Sequence, residues 1–367
     1  YGTSDDFGGG SFYGEGLPTG WSAGLHYGNK YNDGKNTLNG SYRYNKLNTV
    51  GGGTTTGQYI LPDTLYYRNE QGYSRTSRIR NMANGMYEAA LDSFTTIKVT
   101  ANGSVSKSEN FNSNLAQSFS EDLKKVNESN RYTTSLGDQQ GFTSTALLRR
   151  RFRKAGRTMS LNLNQIYKNN ESDGFLISEN NYFDEFEQLR TSDSINQQKR
   201  NRSKTMSLAG KVVFTEALSK SSFLEANYAL SNSQSHSERV TLGNINGKYE
   251  DYVDSLSTDY EFDVLTHRGG LSYRLNKKKF NFSMGSDVSS SAFKQRDLLQ
   301  DTTLDYTFVN LFPRANFNYI MGPQRRLNLS YNGNTRQPTI EQLQPLRDNT
   351  DPLNVYRGNP NLKQSFT

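Results

Sequence analysis

The chain of 367 residues contains no cysteine, which excludes disulfide-stapled scaffolds and cysteine-ligated zinc sites. No stretch approaches the ~18 consecutive apolar residues of a membrane helix, so helical spans are excluded as well. Only 33% of residues are hydrophobic and mean hydropathy is -0.83. Soluble globular chains run at about 45–50% apolar, so an ordinary two-layer core is hard to build from this material. Disorder is excluded from the other side: 23 Tyr and 20 Phe stand among 31 Gly, whereas disordered segments are poor in aromatics. The opening carries no apolar run with a small-residue cleavage site, and its Gly-rich start reads as mid-protein sequence.

What is present is alternation. Ile97, Val99, Ala101, Gly103 and Val105 are apolar or small, while Lys98, Thr100, Asn102, Ser104 and Ser106 between them are polar. Met159, Leu161, Leu163 and Tyr167 alternate in the same way with Ser160, Asn162, Asn164 and Lys168. Further windows begin at Trp21, Leu38, Leu224, Phe280 and Leu327. Period two over 5–9 residues is the signal of strands with one apolar and one wet face, and no window of similar length carries a 3.6 period. The fold class is all-β. An antiparallel transmembrane β-barrel reconciles low hydropathy with many aromatics, because every second residue meets lipid and the others meet an aqueous lumen.

Short turns fall at Asp33-Gly34, Leu91-Asp92-Ser93, Lys154-Ala155-Gly156, Glu216-Ala217-Leu218, Asn276-Lys277-Lys278 and Gly322-Pro323. They recur roughly every 60 residues, with a shorter last step of about 45, too widely for the 8–12-residue turn spacing of a soluble sandwich. Each interval would hold one strand up, a long polar loop and one strand down, giving about twelve strands. Basic residues gather at the turns, as in Arg149, Arg150, Arg151, Arg153, Lys154 and Arg157. Acidic residues gather midway, in expected loops around Glu171–Glu187 and Glu250–Asp263. The division is residues 1–19 as a Gly-rich loop, 20–335 as barrel strands, and 336–367 as a loop leading to further strands. A basic total would fit nucleic acid, but no recognition helix or RNA-stacking motif accompanies it, so no nucleic-acid partner is expected.

Catalytic and metal chemistry have no visible carrier. His26, His236 and His267 lack a second histidine at metal-ligand spacing, and His26 falls on the side expected to face the lumen. There is no Gly-x-Ser-x-Gly elbow, and Gly51-Gly52-Gly53 is not followed by Gly-Lys-Ser/Thr. The acidic run at 250–263 lacks the order of a calcium loop. Neither an enzyme nor a cofactor is expected. Aromatics at strand ends, such as Tyr27, Phe214 and Tyr319, suit membrane-interface girdles. Tyr182, Phe183 and Phe186, with Tyr249, Tyr252 and Tyr260, are loop aromatics that could face a ligand or pack one loop on the next.

The run from Arg336 to Lys363 carries Pro338, Leu343, Pro345, Asp348, Asn349, Asp351, Pro352, Asn354, Gly358, Asn359, Pro360 and Leu362. With Phe12–Tyr27 and Leu38–Asn45, it resembles TonB-dependent-receptor-like outer-membrane proteins of the Bacteroidetes type. Within these it is most similar to the outer membrane protein β-barrel family, across essentially the whole chain. In place of the usual Pro-Glu after Lys363 stands Gln364-Ser365. The resemblance implies a location in the bacterial outer membrane and a 22-stranded barrel around a plug, of which about twelve strands are present here. It also implies a TonB-like energy-coupling partner acting through a plug that this chain does not carry, an unknown small ligand, and contact with outer-membrane lipid. A passive pore or adhesin-like surface barrel without energy coupling is the other expectation. Open edges at both ends lead us to expect that the isolated segment does not fold alone.

Overall fold

The computed structural model describes residues 16–61, 64–322 and 324–336, and beyond these only 342, 347–348, 356–357, 359, 362 and 365–366. The chain runs β1 (Leu17–Tyr31), β2 (Asn36–Leu61), β3 (Thr64–Ala90), β4 (Thr95–Ser120), β5 (Lys125–Arg151) and β6 (Thr158–Phe183). It continues with β7 (Leu189–Ala217), β8 (Ser222–Ile245), the short β9 (Lys248–Tyr252), a 3-10 turn at Asp254–Leu256 and β10 (Thr258–Asn276). β11 (Phe280–Asp297), β12 (Thr302–Gly322) and β13 (Arg325–Asn332) complete one 13-stranded antiparallel sheet. Every long strand pairs with its sequence neighbours, and β9 pairs only with β8. Among the described residues β1 and β13 each have one partner strand.

The all-β, meandering antiparallel architecture is as the alternation indicates, but the long loops are not there. β2 to β7 run 26 to 29 residues each, so the stretches expected as polar loops are strand. Glu171, Asp173 and Glu179 lie on β6, and Asp259, Glu261 and Asp263 on β10. The outer connections shrink to segments such as Glu121–Lys124, Asp184–Gln188 and Leu298–Asp301. A transmembrane strand needs only about 9–11 residues. More than half of β7 therefore projects past the apolar band, where both faces are wet and side chains lose their alternation while the backbone ladder continues.

The register divides the sheet into two faces, because directly paired residues point the same way. One unbroken row runs Leu38, Tyr87, Val99, Ala146, Leu163, Gly210, Leu230, His267, Ser290, Val309. The row below it carries Ile97, Leu148, Leu161, Val212, Tyr228, Val288 and Leu311. This apolar face is the open one: Leu25 is 77%, Leu271 58% and Val309 70% exposed. The opposite face is polar and buried, with Ser178 at 1% and Asp287 and Ser291 at 2%. A protein dissolved in water would invert this arrangement, since exposed apolar surface costs about 25 cal/mol per Å². The sheet is built to present its outer face to hydrocarbon.

The same row measures a stagger. Leu38 sits beside the turn that opens β2, whereas Val309 lies far up β12 from its turn after Gly322. Hydrogen-bonded rows thus climb relative to the line of turns, as strand tilt in a barrel wall requires. Curvature shows on the polar face, where side chains meet across an intervening strand. Asn227 of β8 reaches Asp287 of β11, and Arg268 of β10 lies 4.1 Å over the Phe312 ring of β12. The polar face is the concave, inward one.

The inner-rim turns are held locally. Asn32, Asp33 and Gly34 take positive φ, as a hairpin turned with the strand twist requires. Asp92 accepts hydrogen bonds from the Phe94 and Thr95 amides at 2.6 and 2.7 Å, and the Phe94 bond in particular holds its carboxyl below the usual range. Glu216, next to the end of β7, accepts from Arg157 and Lys154 of the neighbouring turn, which lower it to about 2. At the other rim Asn246-Gly247, absent from the expected turns, closes the β8–β9 hairpin with positive φ at both residues.

Candidate functional site

The inward wall has a built centre on β8 and β10–β12. Asp287, its side chain 3% exposed, accepts from Arg268 Nε and Nη2 at 2.9 and 2.8 Å and from Asn227 Nδ2 at 3.1 Å. Arg314 stands 3.5 Å from its other oxygen. A buried carboxylate is tolerated only when its lone pairs and charge are met in this way. The ring of Phe312 lies against the Arg268 guanidinium, a cation–π contact. Two arginines to one carboxylate leave this cluster cationic.

Above it, on the outer half of the same strands, the inward face turns aromatic. Phe293 stacks on Tyr306 with centroids 5.1 Å apart and meets Phe308 edge-on at 5.6 Å and Phe262 at 5.9 Å. Tyr260, buried beside Asp297 on the paired strand, has its phenol pushed up by burial and by that carboxylate. The excursion through β9 folds back here: Thr241 Oγ1 donates to the Leu256 carbonyl, and Ser257 Oγ accepts from the Thr241 amide. From β4 to β8 the inward face is a ladder of Ser, Thr and Asn, including Ser106, Ser118, Ser129, Ser178 and Asn180, all buried.

The outward face changes character above the apolar band. Lys107 pairs with Asp138, Arg200 with Asp173, Arg202 with Glu238, and Arg296 with Glu261 and Asp263. These cross-strand pairs form a belt of balanced charge where hydrocarbon gives way to water. Exposed pairs of this kind contribute little each, about 0–1 kcal/mol.

Of the six aromatics expected in loops only Phe186 lies in one, and the six do not come together. Tyr182 and Phe183 end β6, with Lys125 Nζ 4.8 Å from the Phe183 ring, and Phe186 is exposed in the following turn. Tyr249 and Tyr252 belong to β9, where Tyr249 donates to Asn196 and packs on Phe175. Tyr260 faces inward on β10, one inward position from Phe262 of the aromatic cluster. Phe262, Phe293, Tyr306 and Phe308 went unnoticed in sequence because they occupy polar-side positions of strands, where a run of aromatics breaks the alternation.

Of the signature run, Pro338, Leu343, Pro345, Asn349, Asp351, Pro352, Asn354, Gly358 and Pro360 lie outside the described residues. Asp348 is in a two-residue strand pairing with Tyr356–Arg357, the Asn359 amide donates to the Gln342 carbonyl, and the Leu362 amide to that of Asn359. His26 is on the inward face. His236 and His267 are outward and lie within strands: His236 is paired with Asp259 at 2.6 Å and His267 with the Tyr228 hydroxyl at 2.8 Å. Among the described residues no three His, Asp or Glu side chains gather as a metal site would need.

No curated protein matches the chain. The model of a family described as outer membrane protein beta-barrel family matches residues 150–367, so the resemblance in the N-terminal part, including Phe12–Tyr27, falls outside the match. An open apolar face, a buried polar face and staggered antiparallel strands are what such a family requires, and the chain belongs to the outer membrane protein beta-barrel family, a protein of the outer membrane.

Proposed function

We propose that this chain forms the wall of a receptor-type transporter that imports a nutrient ligand across the outer membrane, energised by a TonB-like protein through a plug seated in the lumen. The observation that carries the reading is the inward wall. Over this many strands the polar face is not filled by its own side chains from across a narrow barrel, as it is at about eight strands. Barrels of 16–18 strands leave an aqueous channel, and 22-stranded transporters hold a plug. Strands extended past the membrane give the outer half a deep wall on which a ligand is captured before passage. Outer-membrane lipid is the partner of the apolar face.

The full-length protein in a planar bilayer tests this without knowledge of the ligand. A receptor with a seated plug is expected to show no steady ion conductance, and to acquire one when the segment encoded upstream of Tyr1 is deleted. A steady open conductance in the full-length protein would overturn the reading in favour of a passive pore. Reading the gene upstream of Tyr1 for a plug and a TonB-binding box is the cheaper companion.

A further inference from the structure

We propose that the inward wall is a binding surface for anionic solutes, bearing phosphate or carboxylate groups, at the depth of the membrane. The inference goes beyond the transport reading and needs only an aqueous interior, not energy coupling. Alternation sorts the charges of this chain by face. One inward hydrogen-bonded row runs Lys30, Thr37, Glu88, Lys98, Leu147, Asn162, Lys211, Ala229, Arg268 and sets four cations against the single carboxylate of Glu88. Three inward rows from it, towards the outer side, Arg43 shares a row with Lys168, and Arg80 stands opposite Asn45 one step further.

The inward carboxylates at this depth are already engaged. Glu88 has Lys98 at 3.8 Å, Glu225 has Arg274 at 3.4 Å, and Asp287 has Arg268 and Arg314. Arg43, Arg80, Lys168 and Lys211 make no ion pair among the described residues. In the outward belt Lys107, Arg200 and Arg202 each meet a carboxylate, and Arg296 meets two. Positive charge is thus in excess on the concave side, although among the described residues Lys46, Arg75 and Lys204 stand without an ion pair on the outward one. Low-dielectric walls around the lumen focus the field of this excess and raise the local concentration of anions.

The test is binding of inorganic tripolyphosphate to the full-length protein in lipid nanodiscs, followed by calorimetry. Saturable binding is expected, weakened about tenfold between 0.1 and 1 M salt as screening shortens the field. The inward variant R43Q/R80Q/K168Q/K211Q is expected to weaken binding by about tenfold, and the outward variant K107Q/R200Q/R202Q to leave it unchanged. Should the fourfold variant fail to fold, by loss of heat-modifiable gel migration, R43Q/R80Q and K168Q/K211Q separately are each expected to cost about threefold. No saturable binding by the wild type, or equal affinities of the inward and outward variants, overturns the proposal. A gated, non-conducting protein that ignores tripolyphosphate sinks this inference alone. An open pore that binds it sinks only the receptor reading.

Discussion

Gly270 and Asp287 face each other across the β10–β11 ladder so closely that a Cβ on Gly270 would lie 1.8 Å from Asp287 Oδ1. The missing side chain is what lets Asn227 and Arg268 converge on the carboxylate from either side. Gly270→Ala is expected to drive Asp287 from its partners and lower stability by about 3 kcal/mol, within the range for breaking a buried ion pair. Gly85→Ala, where nothing lies within 4 Å, is expected to be neutral or stabilising by up to about 1 kcal/mol. Urea unfolding in lipid vesicles measures both. Equal effects would mean that the cluster does not constrain the wall.

The two faces of one strand give a second prediction. Val99 points outward between Tyr87 and Ala146, and Thr100 points inward between Met86 and Thr145. Val99→Arg is expected to cost about 2–4 kcal/mol, as a charge facing the middle of the bilayer does, and Thr100→Arg under about 1 kcal/mol. Folding yield into vesicles, read by heat-modifiable migration, ranks the two.

Acid sensitivity should originate partly at the turns. Glu216 titrates at about 2 in the folded protein, held down first by Arg157 and then by Lys154, against an ordinary value of 4.5. A depressed carboxylate stabilises the fold fully above its unfolded value and loses that contribution as pH falls through the folded one. The stability difference between wild type and Glu216→Gln is therefore expected to be constant above about pH 4.5 and to vanish by about pH 2. Melting in detergent across that window checks it. A difference independent of pH would remove the titration from the explanation.

The membrane-depth part of the fold was legible wherever one face is greasy, as from Ile97 to Val105 or Met159 to Tyr167. It faded at Glu171, Ser172, Asp173 and Gly174, where the ladder continues but both faces are wet, and polar composition then reads as loop. Pairing to neighbours on both sides overrides such weak local preference. The inner-rim turns were visible through Asp33-Gly34 and their kin, whereas Asn246-Gly247 carried as strong a hairpin signal and was not used. The Arg268–Asp287 cluster was illegible for another reason. Asn227 and Asp287 are 60 residues apart, and only the register shows that they share a face. The inward cations were in plain view as the polar members of each alternation, but their lack of counter-charges depends on which acids each strand brings alongside.

Residues 1–367 contain no cysteine, so single cysteines along β6 can carry nitroxide labels once any cysteine encoded outside them is replaced by serine. In the full-length protein in lipid vesicles, labels at Leu161, Leu163 and Tyr167 are expected to be accessible to oxygen. Those at Asn162, Asn164 and Lys168 are expected to respond to a water-soluble nickel chelate instead. From Glu171 to Phe175 the oxygen maxima should vanish, since both faces there are in water. Accessibilities that do not alternate between 159 and 168, or that place the Leu positions in water, would contradict a wall with hydrocarbon on one side and an aqueous lumen on the other.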